Sequence, residues 1–422
     1  MTNHVLSPDT QAILLLCASF GQNRKIEPQP LTLSEYNSLA NWLRNNQMRP
    51  ADLLEIIPGK QLQNIGETKL DLTRISALLE RGAMLSLAVE KWTNQGLWIL
   101  GRGDTNYPKS LKQTLKHSAP AILYGVGNIK LLSMGGLAIV GSRDVNKEKL
   151  DYTKKIAQQS AVEGIQIISG GARGVDKAAM LGVLQAGGTS VGVLANSLTK
   201  ASVDAEYRSS IKEGRLALIS SYDPDAGFNV GNAMGRNKYI YALADYAVVI
   251  DSTAGKGGTW AGAVEAISKL DVPVFVRMHP TISEGNQQLH DKGAKVFPPA
   301  PWNDLKQLLT SITSSIDPSI LTKETKEIKQ INQLQTTADT INPLQEVSST
   351  PKNIYEAVLP FIINHLQQPL DAKTLAETLN VRLSQMQDWL NIAVKEGKVR
   401  KTKKPVTYVI NQSATQLSMF SN

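Results

Sequence analysis

A regular alternation of short apolar runs with longer amphipathic stretches most limits the fold of this chain. The runs have the length of buried strands, and the stretches between them have the length of helices. We predict strands at residues 137–140, 165–169, 190–194, 216–220, 247–250 and 274–276, and an edge strand at 121–124. Strands that alternate with helices form parallel βαβ units, so the sequence predicts an α/β fold with a Rossmann-like, doubly wound parallel sheet.

The chain on either side of this alternation has a different pattern. Residues 1–95 carry two helix-start signals, Ser7 before a proline and Thr32 three residues before a glutamate, and we predict a small helical domain there. The alternating part, residues 96–300, is predicted to form one extended Rossmann-like domain. Residues 301–350 are polar and poor in aromatic side chains, which predicts a helix followed by a linker.

Residues 351–411 return to a compact pattern. Asp371 and Ser384 are predicted to cap the second and third of three helices, and a hairpin follows, which together predict a winged-helix domain. The third helix ends with a single cation, Lys395, whereas the hairpin region is rich in lysine. Two interpretations therefore stay open for this domain: a protein-interaction module, or contact with a DNA backbone through the hairpin.

Composition narrows the kinds of site that the chain can hold. The 422 residues include one cysteine, Cys17, which excludes an internal disulfide. The net charge of +8 is compatible with a polyanionic partner. The histidines show no metal-ligand spacing, and we expect neither a metal nor a cofactor. The longest apolar run, 12–20, is too short to span a bilayer, and the first residues lack the basic flank of a signal peptide. We therefore expect a cytoplasmic protein.

Three glycine-rich turns at predicted strand ends each contain a cation. They comprise Gly141, Ser142 and Arg143; Ser169, Gly170, Gly171, Arg173 and Gly174; and Lys256, Gly257, Gly258 and Thr259. Glycine lets backbone N–H groups approach an anion, and the helix that follows adds partial positive charge at its start. A single such turn is explained by chain geometry alone, but three with cations predict a phosphate-binding site.

A fourth polar cluster consists of Arg236, Asn237 and Lys238, which precede an apolar run. It is either a solvated helix start or the completion of a cationic rim around the three turns. We predict that Arg143, Arg173, Arg236 and Lys238 line one groove.

The phosphate site matches no common nucleotide fingerprint. Ser169 replaces the first glycine of the dinucleotide motif, and Ile250 stands where a P-loop needs glycine. Asp176 is explained by a favourable position in the first turn of a helix. Asp251 directly follows a predicted strand. Its position is explained equally well if it is a functional carboxylate or if it caps a turn.

The combined turns resemble those of the DNA-processing protein A (DprA, also called Smf) family. The resemblance rests on residues 141–143, 169–176 and 236–238, on the lead-in at 103–108, and on the helical front and winged-helix end. It implies a SAM- or helix-turn-helix-like front domain and a non-enzymatic, dimeric protein that binds single-stranded DNA. It also implies help in loading the RecA recombinase during DNA uptake, recombination or defence, with Arg143, Arg173, Arg236 and Lys238 contacting DNA.

The last glycine turn also resembles a sister family of the same fold, the LOG-type nucleotide phosphoribohydrolases. Gly257, Gly258 and Thr259 fit part of that family's motif, but Gly262 stands where the catalytic glutamate belongs, and Glu265 follows one turn later. A nucleotide hydrolase or a nucleotide-ligand sensor is therefore the alternative interpretation.

Overall fold

The structure is a computed structural model that describes residues 6–20, 28–55, 70–278, 283–314, 354–366, 368–379, 381, 383–402 and 406–411. The chain divides into two compact units, Met1–Glu324 and Thr325–Asn422, and each is described by itself.

In the described part of the first unit, nine strands form one sheet. They are β1 (Leu97–Gly101), β2 (Ile122–Gly127), β3 (Leu137–Val140), β4 (Ile167–Ser169), β5 (Ser190–Val193), β6 (Leu216–Ser220), β7 (Tyr246–Val249), β8 (Val274–Arg277) and β9 (Lys295–Phe297). Their order is β1-β2-β6-β5-β4-β3-β7-β8-β9. The seven strands from β6 to β9 pair in parallel, whereas β1 with β2 and β2 with β6 pair antiparallel.

The chain winds outward from β3 in two directions, first through β4, β5 and β6 and then through β7, β8 and β9. The point between β3 and β7 is therefore the switch point of the sheet, where open α/β sheets form a ligand crevice. This arrangement confirms the predicted Rossmann-like parallel sheet.

Helices cover both faces of the sheet. They are α1 (Pro8–Cys17), α2 (Leu33–Asn45), α3 (Leu72–Leu79), α4 (Gly82–Asn94), α5 (Lys109–Leu115), α6 (Lys147–Val162), α7 (Val175–Gln185), α8 (Leu198–Ser202), α9 (Ala205–Lys212), α10 (Val230–Leu243), α11 (Gly257–Lys269), α12 (Glu284–Asp291) and α13 (Leu305–Ser314). Along β3, Leu137 and Ile139 join the core on one face, and Ala138 and Val140 join the core on the other. Burial on both faces explains why β3 is a continuous apolar run.

The first four helices share a core with the sheet. Leu14 of α1 and Trp92 of α4 belong to the same buried cluster as Ile99 and Tyr124. Asp104, just after β1, accepts hydrogen bonds from the hydroxyls of Ser7 and Thr10 (both 2.7 Å) and from the backbone N–H of Gly101 (2.8 Å). Ser7 also caps α1, as predicted, because its hydroxyl accepts from the backbone of Thr10. The helical front is therefore joined to the sheet by apolar packing and by partly buried polar contacts.

The sheet has a strand at each edge that was not predicted, β1 and β9. The strand predicted at 121–124 is not an edge strand, since β2 lies between β1 and β6. Strand β1 forms the edge instead, and neither β1 nor β9 was among the predicted strands. The 10-residue helix α13 lies in the segment predicted to hold a helix and a linker, and its Leu305 and Leu309 are buried in the core of the first unit. Residues 315–350 of the predicted linker lie outside the described residues.

The described helices of the second unit are α14 (Ile354–His365), α15 (Ala372–Thr378) and α16 (Leu383–Lys395), and strands β10 (Val399–Lys401) and β11 (Tyr408–Ile410) follow as an antiparallel pair. Asp371 caps α15 as predicted, whereas α16 begins at Leu383, one residue before the Ser384 that was predicted to cap it. Leu375, Met386 and Tyr408 lie in one buried core. The element order is that expected of a winged helix, and the assignment as one stays a prediction.

Candidate anion-binding cleft

The predicted glycine turns meet at the switch point of the sheet. The backbone N–H of Ser142, after β3, donates to the carbonyl of Asp251, after β7 (3.1 Å). The hydroxyl of Thr259, at the start of α11, donates to the carbonyl of Gly141 (3.0 Å). The N–H of Val175, at the start of α7, donates to the carbonyl of Ser142 (3.3 Å). Hydrogen bonds between turns thus fix the backbone around one cleft.

At two positions of the second turn, neighbouring atoms lie so close that only glycine fits. A Cβ atom on Gly170 would lie 1.5 Å from Nη1 of Arg236, and one on Gly174 would lie 2.5 Å from the carbonyl oxygen of Ser142. Gly174 also has a φ of 88°, a conformation that side chains disfavour. The glycines therefore let the second turn contact both the first turn and α10.

The cleft has two adjoining parts. The inner cavity has a volume of about 620 Å³ and extends between the starts of α10 and α11. It is lined by Gly141, Ser142, Arg143, Asp144, Ala172, Asp176, Phe228, Val230, Ala233, Met234, Arg236, Asn237, Thr253, Lys256, Gly257, Gly258 and Thr259. The outer groove, of about 390 Å³, is lined by Arg143, Gly170, Gly171, Ala172, Arg173, Ala195, Asn196, Phe228 and Arg236. Arg143, Ala172, Phe228 and Arg236 border both parts.

Three cations stand at the mouth of the cleft. Arg143, Arg173 and Lys256 are exposed, and none of them forms an ion pair with another described residue. The guanidinium of Arg143 lies over the ring of Phe228 at 5.0 Å, and that ring is 54% exposed. The cation–π contact holds the arginine and an exposed aromatic face side by side.

A buried charge pair lies beneath these cations. The side chains of Arg236 and Asp176 are only 5% and 9% exposed, and Nη1 of Arg236 lies 4.0 Å from Oδ2 of Asp176. The Nε and Nη1 groups of Arg236 make no hydrogen bond with any described residue. A buried guanidinium with free N–H groups beside a cavity is a donor that lacks its acceptor.

Burial also sets the ionisation of this pair. It raises the pKa of Asp176 to about 6, against the opposing effects of Arg236 and of three backbone N–H groups, those of Gly141, Gly170 and Ala172. Burial lowers the pKa of Arg236, but the guanidinium stays charged. Asp176 therefore interacts with two of the glycine turns and with α10 at once, a role that its first-turn position does not explain.

The start of α11 offers further donors. Its N-cap residue, Lys256, makes no side-chain capping hydrogen bond, so the first N–H groups of the helix are not satisfied by a cap. The amide of Asn237 donates to the carbonyl of Gly258 (2.8 Å) and holds α10 against this turn. A helix start of this kind attracts anions through its N–H groups and its dipole.

Several predicted site residues lie elsewhere. Lys238, which was predicted to line the groove, borders neither part of the cleft, and its ammonium lies over the ring of Tyr239 at 5.4 Å. Ser169 is buried, and its hydroxyl donates to the carbonyl of Ile139 (2.6 Å). Asp251 is paired with Lys149 (2.6 Å), and this ion pair accounts for its carboxylate.

Sequence reasoning missed Phe228 and underestimated Asp176. Phe228 follows a glycine and precedes Asn229, whose side chain caps α10. The sequence signal that could have pointed to Phe228 is an aromatic residue in a polar segment just before a helix cap. The contacts of Asp176 with Gly141 and Arg236 had no sequence signal, because these residues are far from it in the chain.

The fold and the site together define an open α/β protein with a cationic cleft at the switch point of its sheet. The model of the DNA recombination-mediator protein A family matches residues 98–309, half of the chain. The chain therefore belongs to that family.

Two curated relatives are similar over part of their length. DNA processing protein DprA of Streptococcus pneumoniae is 30% identical over 155 residues, which cover 36% of this chain and 54% of the relative. Protein Smf of Escherichia coli is 30% identical over 199 residues, or 46% of this chain and 52% of the relative. The chain thus spans about half the length of the curated relatives that it matches.

A solved structure supports the fold independently. The X-ray structure of DprA from Streptococcus pneumoniae superposes with a TM-score of 0.54 at 21% identity, covering 69% of this chain and 95% of that one. This likeness bears on the fold alone. Among the helices in the described ranges, none combines the length and the apolarity needed to cross a bilayer.

Proposed function

We propose that this protein binds single-stranded DNA along the outer groove and acts as a recombination mediator. The observation that carries the proposal is a set of exposed cations without an ion-pair partner among the described residues: Arg143 and Arg173 line the outer groove, and Lys256 lines the adjoining inner cavity. Cations in such a row neutralise successive phosphates, and each neutralised phosphate releases counterions.

The aromatic face of Phe228 favours a single strand over a duplex. Its ring borders both parts of the cleft and is 54% exposed beside the Arg143 guanidinium. A base can stack on such a ring only when it is unpaired, and stacking tolerates any base. The remaining contacts reach phosphates, which carry no sequence information, so binding is expected to be independent of sequence.

The wider role follows from family membership and from the resemblance noted above. We propose that the protein protects single strands, helps to load the RecA recombinase, and works as a cytoplasmic homodimer without catalysis. In the second unit, Lys398, Arg400 and Lys401 precede or lie in strand β10 and offer a further surface for the backbone of DNA or for a protein partner.

The described residues offer no direct support for the alternative hydrolase function. Glu265, the candidate catalytic carboxylate, lies on α11 and borders neither the inner cavity nor the outer groove. A Glu265→Ala variant is expected to bind DNA as the wild type does. Release of free base from a nucleoside monophosphate that this substitution abolishes would instead establish the hydrolase.

The central test compares labelled oligo-dT with a duplex of the same length over a series of salt concentrations. The wild type is expected to prefer the single strand, and Arg143→Ala or Arg173→Ala to weaken binding to oligo-dT and to oligo-dA alike. Each substitution should flatten the slope of log K against log salt by roughly 0.7, the contribution of one phosphate on a single strand.

Lys269→Ala is the matched control. Lys269 is an exposed cation at the far end of α11, whose 13 residues separate it from the cleft by roughly 20 Å. It should leave both affinity and salt slope unchanged. A folded Arg143→Ala, Arg173→Ala double variant with wild-type affinity and slope would refute the proposed site.

A further inference from the structure

The inner cavity holds donors that the strand-binding proposal does not use. Nε and Nη1 of Arg236 are buried without a hydrogen bond to any described residue, and Arg236 is one of the residues that line the cavity. The start of α11 borders the same cavity and lacks a side-chain cap. Both sets of donors lie inside the cleft, whereas the exposed cations Arg143 and Arg173 stand at its mouth.

The opposite wall of the inner cavity is apolar. Val230, Ala233 and Met234 come from the first turns of α10, and Phe228 precedes that helix. A volume of about 620 Å³ with one polar end and one apolar wall has the size and character of a small-ligand site. The apolar wall suits a sugar or a base, and the buried donors suit a charged group attached to it.

We propose that the inner cavity binds the phosphomonoester of a nucleotide, with the α11 start and Arg236 holding its oxygens. The phosphomonoester comes either from a free mononucleotide or from the phosphorylated end of a DNA strand. For a strand end, the inference rests on the proposed function, since the outer groove then carries the internal phosphates that follow.

A terminal phosphate fits this place better than an internal one. A phosphomonoester has three free oxygens and one ester link, so it enters a cavity end-on, whereas an internal phosphodiester must let the chain leave in two directions. It also carries about −1.5 to −2 charges at neutral pH, against −1 for a diester. It therefore gains more from the buried guanidinium than a diester does.

The charges around the cavity permit a dianion. Arg143, Arg236 and Lys256 contribute positive charge, and Asp144 and Asp176 oppose it. The charge of Asp176 is already offset by Arg236 at 4.0 Å and by backbone N–H groups. The balance of named side chains is one positive charge, and the α11 dipole adds to it.

The experiment compares fluorescent oligo-dT with a 5′-phosphate, a 3′-phosphate or hydroxyls at both ends, and it adds dTMP as a competitor. One phosphorylated oligonucleotide is expected to bind about tenfold more tightly than the hydroxyl form, since a hydrogen bond to a charged group contributes about that factor. Excess dTMP should remove this preference. Binding of dTMP alone, with equal affinity for the three oligonucleotides, identifies a free nucleotide as the source.

Two variants localise the effect. Ala233→Leu fills the apolar wall, and Arg236→Lys keeps the charge but removes the guanidinium N–H groups. Both should lose the preference for a terminal phosphate and the rise in thermal unfolding temperature on adding dTMP, while Lys269→Ala keeps both. Arg236→Lys is compared only if its unfolding remains cooperative.

The outcomes separate this inference from the proposed function. Equal affinity for all three oligonucleotides together with no binding of dTMP would overturn the phosphomonoester site and leave strand binding intact. Binding of dTMP without binding of any oligonucleotide would overturn strand binding and leave the phosphomonoester site intact. An unaltered preference in a folded Ala233→Leu variant would also overturn the placement in the inner cavity.

Discussion

Nη1 of Arg236 lies 4.0 Å from Oδ2 of Asp176, and neither side chain is more than 9% exposed. The two residues connect the middle of α10 with the first turn of α7 beneath a surface that we expect to hold phosphates. Their charges nearly cancel at neutral pH. Any change in the protonation of Asp176 therefore changes the net charge of the cleft by one.

This pair predicts a pH dependence of DNA binding. Because burial raises the pKa of Asp176 to about 6, its carboxylate is ionised at pH 7 and becomes protonated as the pH falls to 5. Loss of that negative charge strengthens the attraction for phosphate, so affinity for oligo-dT should rise roughly fivefold or more over this range. Fluorescence anisotropy at constant ionic strength measures the change.

Asp176→Asn provides the control for this titration. The amide is neutral throughout, so the variant should bind at pH 7 as tightly as the wild type does at pH 5, with a flat profile between. By linkage, the raised pKa also means that the wild type loses stability as the pH rises through about 6. Parallel pH profiles for the two proteins would contradict the role given to Asp176.

Phe228 is predicted to contribute a stacking contact. Replacing it with alanine should weaken binding to oligo-dT by about 1–3 kcal/mol, the contribution of one stacked base. Phe228→Trp should retain affinity and place a fluorophore in the cleft, whose emission changes when DNA binds. Met234, also exposed but on α10, supplies a comparison: Met234→Ala should change affinity for the hydroxyl-ended strand much less. Equal losses in both alanine variants would argue against stacking.

Gly170 is predicted to tolerate no side chain. A Cβ atom there would lie 1.5 Å from Nη1 of Arg236, so Gly170→Ala must displace a buried guanidinium. We expect a loss of about 1–3 kcal/mol in the free energy of unfolding, measured by urea denaturation. Gly103→Ala is the matched control, because a Cβ at Gly103 meets no atom within 4 Å. Similar stabilities for the two variants would show that the second turn can move away from α10.

The first unit is predicted to fold without the second. A chain that ends after Ser314 keeps α13, and it should unfold cooperatively and still bind oligo-dT. A chain that ends after Ala300 loses Trp302, whose ring packs against Phe297 at 5.8 Å, and loses buried Leu305. Removing such core side chains costs about 2–5 kcal/mol each, so this shorter chain should be much less stable. Equal thermal stability of the two truncations would contradict the packing of α13.

The sequence was most informative where both faces of a strand are buried. Strands β3 to β8 lie within two residues of their predicted bounds at each end, because a continuous apolar run leaves few other choices. The sequence analysis missed β1 and β9, since β1 ends in a glycine-rich turn and β9 has only three residues. The exposed positions of Arg143 and Arg173 followed from their location after strands of one parallel sheet.

The fourth cluster shows what sequence alone could not decide. Arg236, Asn237 and Lys238 are consecutive on α10, and successive helical residues point about 100° apart. Arg236 is buried near Gly170, Asn237 bonds to Gly258, and Lys238 lies over Tyr239. Which of the three faces the cleft depends on the rotation of the helix about its axis, and tertiary packing sets that rotation.

The hydrogen bonds of Asp104 also bear on the order in which the molecule assembles. The contact between Ser7 and Asp104 joins residues 97 positions apart, so the first helix can dock only after a long loop has closed. Its acceptor follows the end of β1, which pairs with β2 in the sheet. We therefore expect hydrogen exchange to show α1 acquiring protection late in refolding and losing it early in unfolding, behind the parallel strands. The front helices would then pack last, onto a sheet edge that has already formed.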